Sequence, residues 1–150
     1  MQPLVADRIE REILIDAPVD VVWDVVTRPE HISGWFSDRV EIDLRPGGAM
    51  VLAWDDYGTV CGRVERVQPP HFFSFRWVVP RIPGAELSDD NSTLVEFSLV
   101  ADGEGTRLTV VESGFAGLAG PDEENQGHVD AHRRGWVKEL GELVEYATRR

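Results

Sequence analysis

The chain has 150 residues, 42% of them hydrophobic and 28% charged, which suits one domain spanning residues 1–150 with a core of its own. Its 27 acidic residues outnumber 15 basic ones, and a net charge of -12 argues against nucleic acid and anionic membrane as partners. A lone cysteine, Cys61, excludes an intramolecular disulfide and a cysteine-built metal site; with no signal-peptide core and no apolar run long enough for a membrane span, the expectation is a cytoplasmic protein without membrane insertion.

Arg8 to Ile15 carries charges at its start and aliphatic residues at its end and reads as a first strand. Asp16-Ala17-Pro18 then opens a helix: proline is tolerated at the first helical position, Asp20 suits the helix N-terminus, and Val19, Val22, Trp23 and Val26 share one face. Pro29 restarts a short second helix that ends near Gly34 and delivers Trp35 and Phe36 side by side. From Val40 the period becomes two, with Val40, Ile42 and Leu44 on one face and Glu41 and Asp43 on the other. Pro46-Gly47-Gly48 turns the chain, and Met50, Leu52 and Trp54 alternate as far as a turn at Asp55-Asp56-Tyr57-Gly58. Thr59 to Val67 returns as the next strand and Pro69-Pro70 closes it, after which His71 to Val78 sets Phe73, Phe75 and Trp77 on an inner face.

Val79 to Ser92, with two prolines and a glycine, reads as a long loop. Thr93 to Ala101 and Thr106 to Phe115 are two alternating strands joined by Asp102-Gly103-Glu104-Gly105. Gly114 to Gly120 leads through Pro121-Asp122-Glu123-Glu124 into the last element, where Val129, Trp136, Leu140, Leu143, Val144 and Ala147 recur at helical spacing. Run from Pro121 this helix is about 45 Å long and from His128 about 34 Å, enough to cross a small domain. Acidic residues at its start and Arg149-Arg150 at its end suit the helix dipole. The order is strand, two helices, six strands, helix: an α+β chain in which a long helix is gripped by a curved sheet.

The stretch from Ile15 to Phe36, Ile-Asp-Ala-Pro-Val-Asp-Val-Val-Trp-Asp-Val-Val-Thr-Arg-Pro-Glu-His-Ile-Ser-Gly-Trp-Phe, resembles the opening of the heat-shock protein 90 ATPase activator-like branch of the Bet v 1/START-type (SRPBCC) superfamily. Gly47-Gly48, Pro69-Pro70 before an aromatic strand ending in Trp77, Gly105-Thr106-Arg107-Leu108 leading to Ser113-Gly114-Phe115, and Gly135-Trp136 followed by Leu140 and Leu143 fall in that family's order. The resemblance implies a helix-grip fold: a seven-stranded antiparallel sheet wrapped around the C-terminal helix, two short helices after the first strand, and an apolar cavity between sheet and helix. Family members include binders of lipids, hormones and polyketides, a few cyclases and a co-chaperone domain, so fold alone does not choose a function.

In such a fold Trp35, Trp54, Trp77 and Trp136 converge on one cavity or fill the core outright. With Phe36, Met50 and Phe75 they form the expected ligand wall. Glu112 follows Leu108 and Val110 in alternation and points the same way. A carboxylate there has its pKa raised unless a donor pairs with it, which makes it a candidate acid, base or ligand acceptor; the alternatives are a wet position at the sheet's end or a bond to a neighbouring tryptophan. His128 and His132 share a helix face, but zinc needs a third protein ligand and no H-E-x-x-H motif is present, so solvated or packing histidines are expected and no metal. His132, one turn before Trp136, is within reach of the cavity. Gly135 and Gly141 cost about 1 kcal/mol each inside a helix, which close approach of sheet or ligand, or a helix bend, would explain. Cys61 is expected as a small buried side chain.

The leading expectation is non-enzymatic binding of a small apolar or amphipathic ligand between sheet and helix, without a cofactor, in a monomer or homodimer. One alternative is a co-chaperone-like module that docks on a chaperone or other protein and has a filled core. Another is a polyketide cyclase-like or hydrolase-like enzyme with Glu112 as general base, which requires Glu112 within reach of a substrate atom.

Overall fold

The structure, a computed structural model, describes residues 5–56, 58–80 and 85–149. Residues 1–4 of the N-terminal reading, Tyr57 of the expected turn, residues 81–84 of the expected loop and Arg150 of the helix end lie outside these. The elements are β1 (Arg8–Ile15), α1 (Val19–Thr27), α2 (Pro29–Trp35), β2 (Arg39–Ile42), β3 (Ala49–Trp54), β4 (Gly58–Gln68), β5 (Phe72–Val78), β6 (Ser92–Asp102), β7 (Gly105–Ser113), a 3-10 turn (Phe115–Gly117) and α3 (Asp122–Thr148).

Strands β2 to β7 form a meander, because consecutive antiparallel strands need only short turns. The non-local pairing is β1 on β7, with Ile9 opposite Glu112 and Ile15 opposite Thr106, giving a seven-stranded order β1-β7-β6-β5-β4-β3-β2. β1 and β2 are thus the two edges, and the chain between them must cross the sheet. α1 and α2 make that crossing, tied together by the Trp35 indole N–H, which donates to the Val25 carbonyl at 2.9 Å. The helix-grip architecture is the one the motif order implies.

α3 has 27 residues and is therefore about 40 Å long. Val129, Trp136, Leu140, Leu143 and Ala147 are buried along it and Val144 is half-buried. Burial of each large side chain in that stripe is worth about 1.5–3 kcal/mol, which is what holds helix to sheet. At the C-terminal end a Cβ on Gly34 would stand 2.3 Å from the Tyr146 ring and force that ring to shift, and Tyr146 shares a 2.8 Å hydrogen bond with His31 Nδ1.

Five local expectations are corrected. β2 stops at Ile42 and Leu44 is 38% exposed, because the backbone folds back between Asp43 and Gly48: Arg45 N–H donates to Asp43 O and Gly48 N–H to Arg45 O, both at 2.8 Å. A Cβ on Gly48 would lie 1.9 Å from Asp43 O, which requires glycine. Phe115 is not part of β7; the chain turns at Gly114, whose N–H donates to Asp7 O, and Phe115 swings fully into the core. Pro18 and Pro121 are the residues before the first helical turn rather than in it. Gly135 and Gly141 meet nothing within 4 Å of an added Cβ, so neither serves a close approach of the sheet, and Cys61 is half-buried.

Candidate functional site

Alternation along three elements aims a set of side chains at the same end of the interior. β5 turns Phe73, Phe75 and Trp77 inward, β3 turns Met50, Leu52 and Trp54, and β7 turns Leu108, Val110 and Glu112. Glu112 has no solvent exposure. Its Oε2 accepts from Thr93 Oγ1–H at 2.6 Å and Trp77 Nε1–H at 2.9 Å, and its Oε1 accepts from Trp136 Nε1–H at 2.9 Å and His132 Nδ1–H at 2.8 Å. Trp77 Nε1–H also reaches Thr93 Oγ1 at 3.1 Å.

Burial is the largest influence on Glu112 and by itself raises its pKa; the hydrogen bond and charge of His132, then the Thr93 hydroxyl and Trp77 indole, together outweigh it and hold the carboxyl below its ordinary 4.5. The raised pKa expected of an unpaired carboxylate does not arise, because four donors converge on one group. Of the alternatives open at the start, bonding to a neighbouring tryptophan is what occurs, and two tryptophans do it.

Beside the partners of this carboxylate lies a cavity of about 460 Å3 with an open mouth, lined by Phe36, Trp54, Trp77 and Pro80 and by His128, Ala131, His132, Gly135, Trp136, Lys138 and Glu139 of α3. Phe36 stacks on Trp136 at 5.7 Å and 12° and on Trp77 at 5.6 Å and 20°, while Trp54 meets it edge-on at 5.6 Å and 76°. Trp54 is held by its indole N–H, which donates to Phe36 O at 3.0 Å. The room exists because Ala131 and Gly135 are small where α3 faces the opening.

Of the nine residues expected to contact a ligand, Phe36, Trp54, Trp77, His132 and Trp136 line this cavity. Trp35, Met50 and Phe75 do not; they pack around a residual void of about 10 Å3, no larger than one water. Trp35 is committed to α1 through Val25, and Phe75 and Met50 lie one and two inward positions deeper than Trp77 and Trp54. Glu112 stands behind the wall and does not line the cavity, so it is out of place as a general base for a bound molecule. Reading the sequence missed Pro80, Ala131, Lys138 and Glu139 as lining and Thr93 as a Glu112 partner, and took His128 for a solvated or packing residue; residues 128, 131, 132, 135, 138 and 139 do recur at three-four spacing, a second helical face beside the apolar one. Among the described residues no three His, Cys, Asp or Glu side chains gather as a metal site, and no helix is long and apolar enough to cross a membrane.

The family profile described as Activator of Hsp90 ATPase homolog 1-like protein matches residues 16–148. Among solved structures, DynU16, from the dynemicin biosynthetic locus, superposes with a TM-score of 0.74 at 26% identity over 94% of this chain and 47% of its own, so this chain spans about half of that protein. CalU16 from Micromonospora echinospora gives 0.70 at 28% identity over 93% of this chain and 75% of its own. MLL2253 from Mesorhizobium loti gives 0.76 at 22% identity over 95% and 97%, a likeness of fold. A 39-residue segment, 26% of this chain, is 54% identical to 7% of the bifunctional enzyme NanE/NanK of Brucella melitensis and of Brucella suis, too small a share of that enzyme to bear on activity.

Proposed function

Because the chain belongs to the Activator of Hsp90 ATPase homolog 1-like family, within the helix-grip SRPBCC superfamily, we propose that it binds a small aromatic or amphipathic molecule between sheet and α3. The observation that carries this reading is the aromatic cavity of about 460 Å3, within the size range of small-molecule sites. Covering about 200 Å2 of apolar ligand surface is worth about 5 kcal/mol before association costs, enough for micromolar binding once polar contacts are added. Binding without chemistry is favoured because Glu112, the base of the enzymatic alternative, is saturated with four donors and does not line the cavity. The likeness to DynU16 supports a polyketide-like or other natural product as ligand class. The unpaired Cys61 suits a reducing cytoplasm.

The family description supports a second reading, docking on a chaperone, which needs no occupied cavity. Native mass spectrometry of the chain in a metabolite mixture separates the two. The binding reading gives one-to-one retention of an aromatic compound by the natural chain and its loss in Gly135→Leu, whose side chain enters the opening. Retention of nothing, or retention indifferent to Gly135→Leu, overturns it and leaves chaperone docking in front.

A further inference from the structure

His132 differs from the rest of the cavity wall. Its ring is clamped edge-on by Trp77 at 5.9 Å and 82° and by Phe115 at 5.4 Å and 89°, and Nδ1 meets Glu112 Oε1 at 2.8 Å. An ionised carboxylate only accepts, so Nδ1 carries the hydrogen, and in the neutral form of the ring the lone pair lies on Nε2. Nε2 makes no hydrogen bond to the described residues, although the ring lines the cavity and its side chain retains 21% exposure. A buried carboxylate behind an imidazole locks the tautomer and ring orientation and stabilises the positive charge that builds as Nε2 engages a proton donor. The other charged or titratable groups on this wall, His128, Lys138 and Glu139, come from α3 itself, while Thr93, Trp77 and Trp136 complete the surroundings of Glu112 from β6, β5 and α3.

We propose that His132 Nε2 is the polar anchor of the cavity, accepting a hydrogen bond from an acidic hydroxyl, a phenol or an enol, on an aromatic ligand. This deepens the binding reading and rests on it: the stacked rings select a flat apolar body, and the Glu112-oriented imidazole selects the hydroxyl it carries. Glu112 is then a positioning residue, acting through His132 without touching the ligand.

Equilibrium dialysis of 2-naphthol and 2-methylnaphthalene, matched in ring and size, tests this on the natural chain, His132→Asn and His132→Phe. Asparagine keeps an N–H for Glu112 and removes the Nε2 acceptor; phenylalanine keeps the ring packing and removes both. The natural chain is expected to hold the naphthol about tenfold or more tightly than its methyl analogue, the worth of a hydrogen bond to a polarised acceptor. Both variants are expected to lose that preference while still binding the methyl compound. If the natural chain binds both compounds without preference, or the variants keep the preference, the anchor is wrong and the cavity reading stands. If neither compound is held, the cavity reading falls and the anchor with it. Should the variants fail to fold, the 15N resonance of His132 Nε2 in the natural chain decides: a shift with 2-naphthol and not with 2-methylnaphthalene supports the anchor, and its absence overturns it.

Discussion

Trp136 of α3 donates its indole N–H to Glu112 Oε1 of β7 at 2.9 Å, so helix and sheet are joined through a group with no solvent exposure. Trp77 of β5 reaches the other oxygen of the same carboxylate, and both indoles pack against Phe36. The spacing of the cavity wall is therefore set by a hydrogen-bonded centre as well as by packing. A low local dielectric strengthens such a network when it is complete and makes it costly when it is not.

Glu112→Gln tests that centre. An amide supplies one acceptor oxygen where the carboxylate supplies two, and its NH2 then faces indole or hydroxyl donors that want an acceptor. The loss expected is about 2 kcal/mol for glutamine and about 4 kcal/mol for alanine, which strands all four donors. Urea unfolding followed by near-ultraviolet circular dichroism reads it as a lower midpoint at unchanged slope. A glutamine variant as stable as the natural chain would show that the network contributes nothing net.

The same group makes a pH prediction. The folded pKa of Glu112 lies below 4.5 while the unfolded chain titrates at its ordinary value, so between the two the unfolded state binds more protons. Its contribution is complete above about pH 4.5 and is lost as pH falls through the folded value. Thermal midpoints of the natural chain and Glu112→Gln should differ by a constant amount from neutral pH down to about pH 5 and converge below that. A gap that persists unchanged to about pH 3 would contradict it.

Much of the architecture is legible because it is written locally. Period-two alternation exposes the strands, Pro29 and Pro121 mark helix starts, and the stripe through Trp136, Leu140 and Leu143 demands burial. Alternation reports which face a residue occupies and is silent on depth along the strand, which is why Phe75 reads the same as Trp77 yet packs in the filled core. The end of β2 is hidden because Leu44 continues the period, while the contact that bends the chain is Gly48 on Asp43, a backbone approach with no hydrophobic signature. The surroundings of Glu112 are non-local: Trp77, Thr93, His132 and Trp136 come from three elements, and no spacing in the chain announces their convergence. The cavity face of α3 was available at helical spacing, but its small and polar residues resemble a solvated surface.

Gly135 provides a test in which stability and binding move in opposite directions. Nothing lies within 4 Å of an added Cβ there, so the helix accepts a side chain at this point, and Gly135→Leu gains about 1 kcal/mol of helix propensity. The thermal midpoint should rise by a few degrees while affinity for an aromatic probe falls at least about tenfold as the leucine fills the opening. A destabilised variant would mean that the helix bends differently at this point, and undiminished affinity would place the ligand elsewhere.

One end of the interior is a filled core and the other an aromatic-walled opening. The chain's five tryptophans report on both: Trp54, Trp77 and Trp136 line the opening, whereas Trp23 and Trp35 are buried on α1 and α2. The most direct measurement is the 1H-15N spectrum of their five indole N–H groups during titration with 2-naphthol. The account predicts saturable shifts for Trp54, Trp77 and Trp136 with Trp23 and Trp35 unmoved; a spectrum that stays still, or one in which Trp23 and Trp35 move instead, would contradict it.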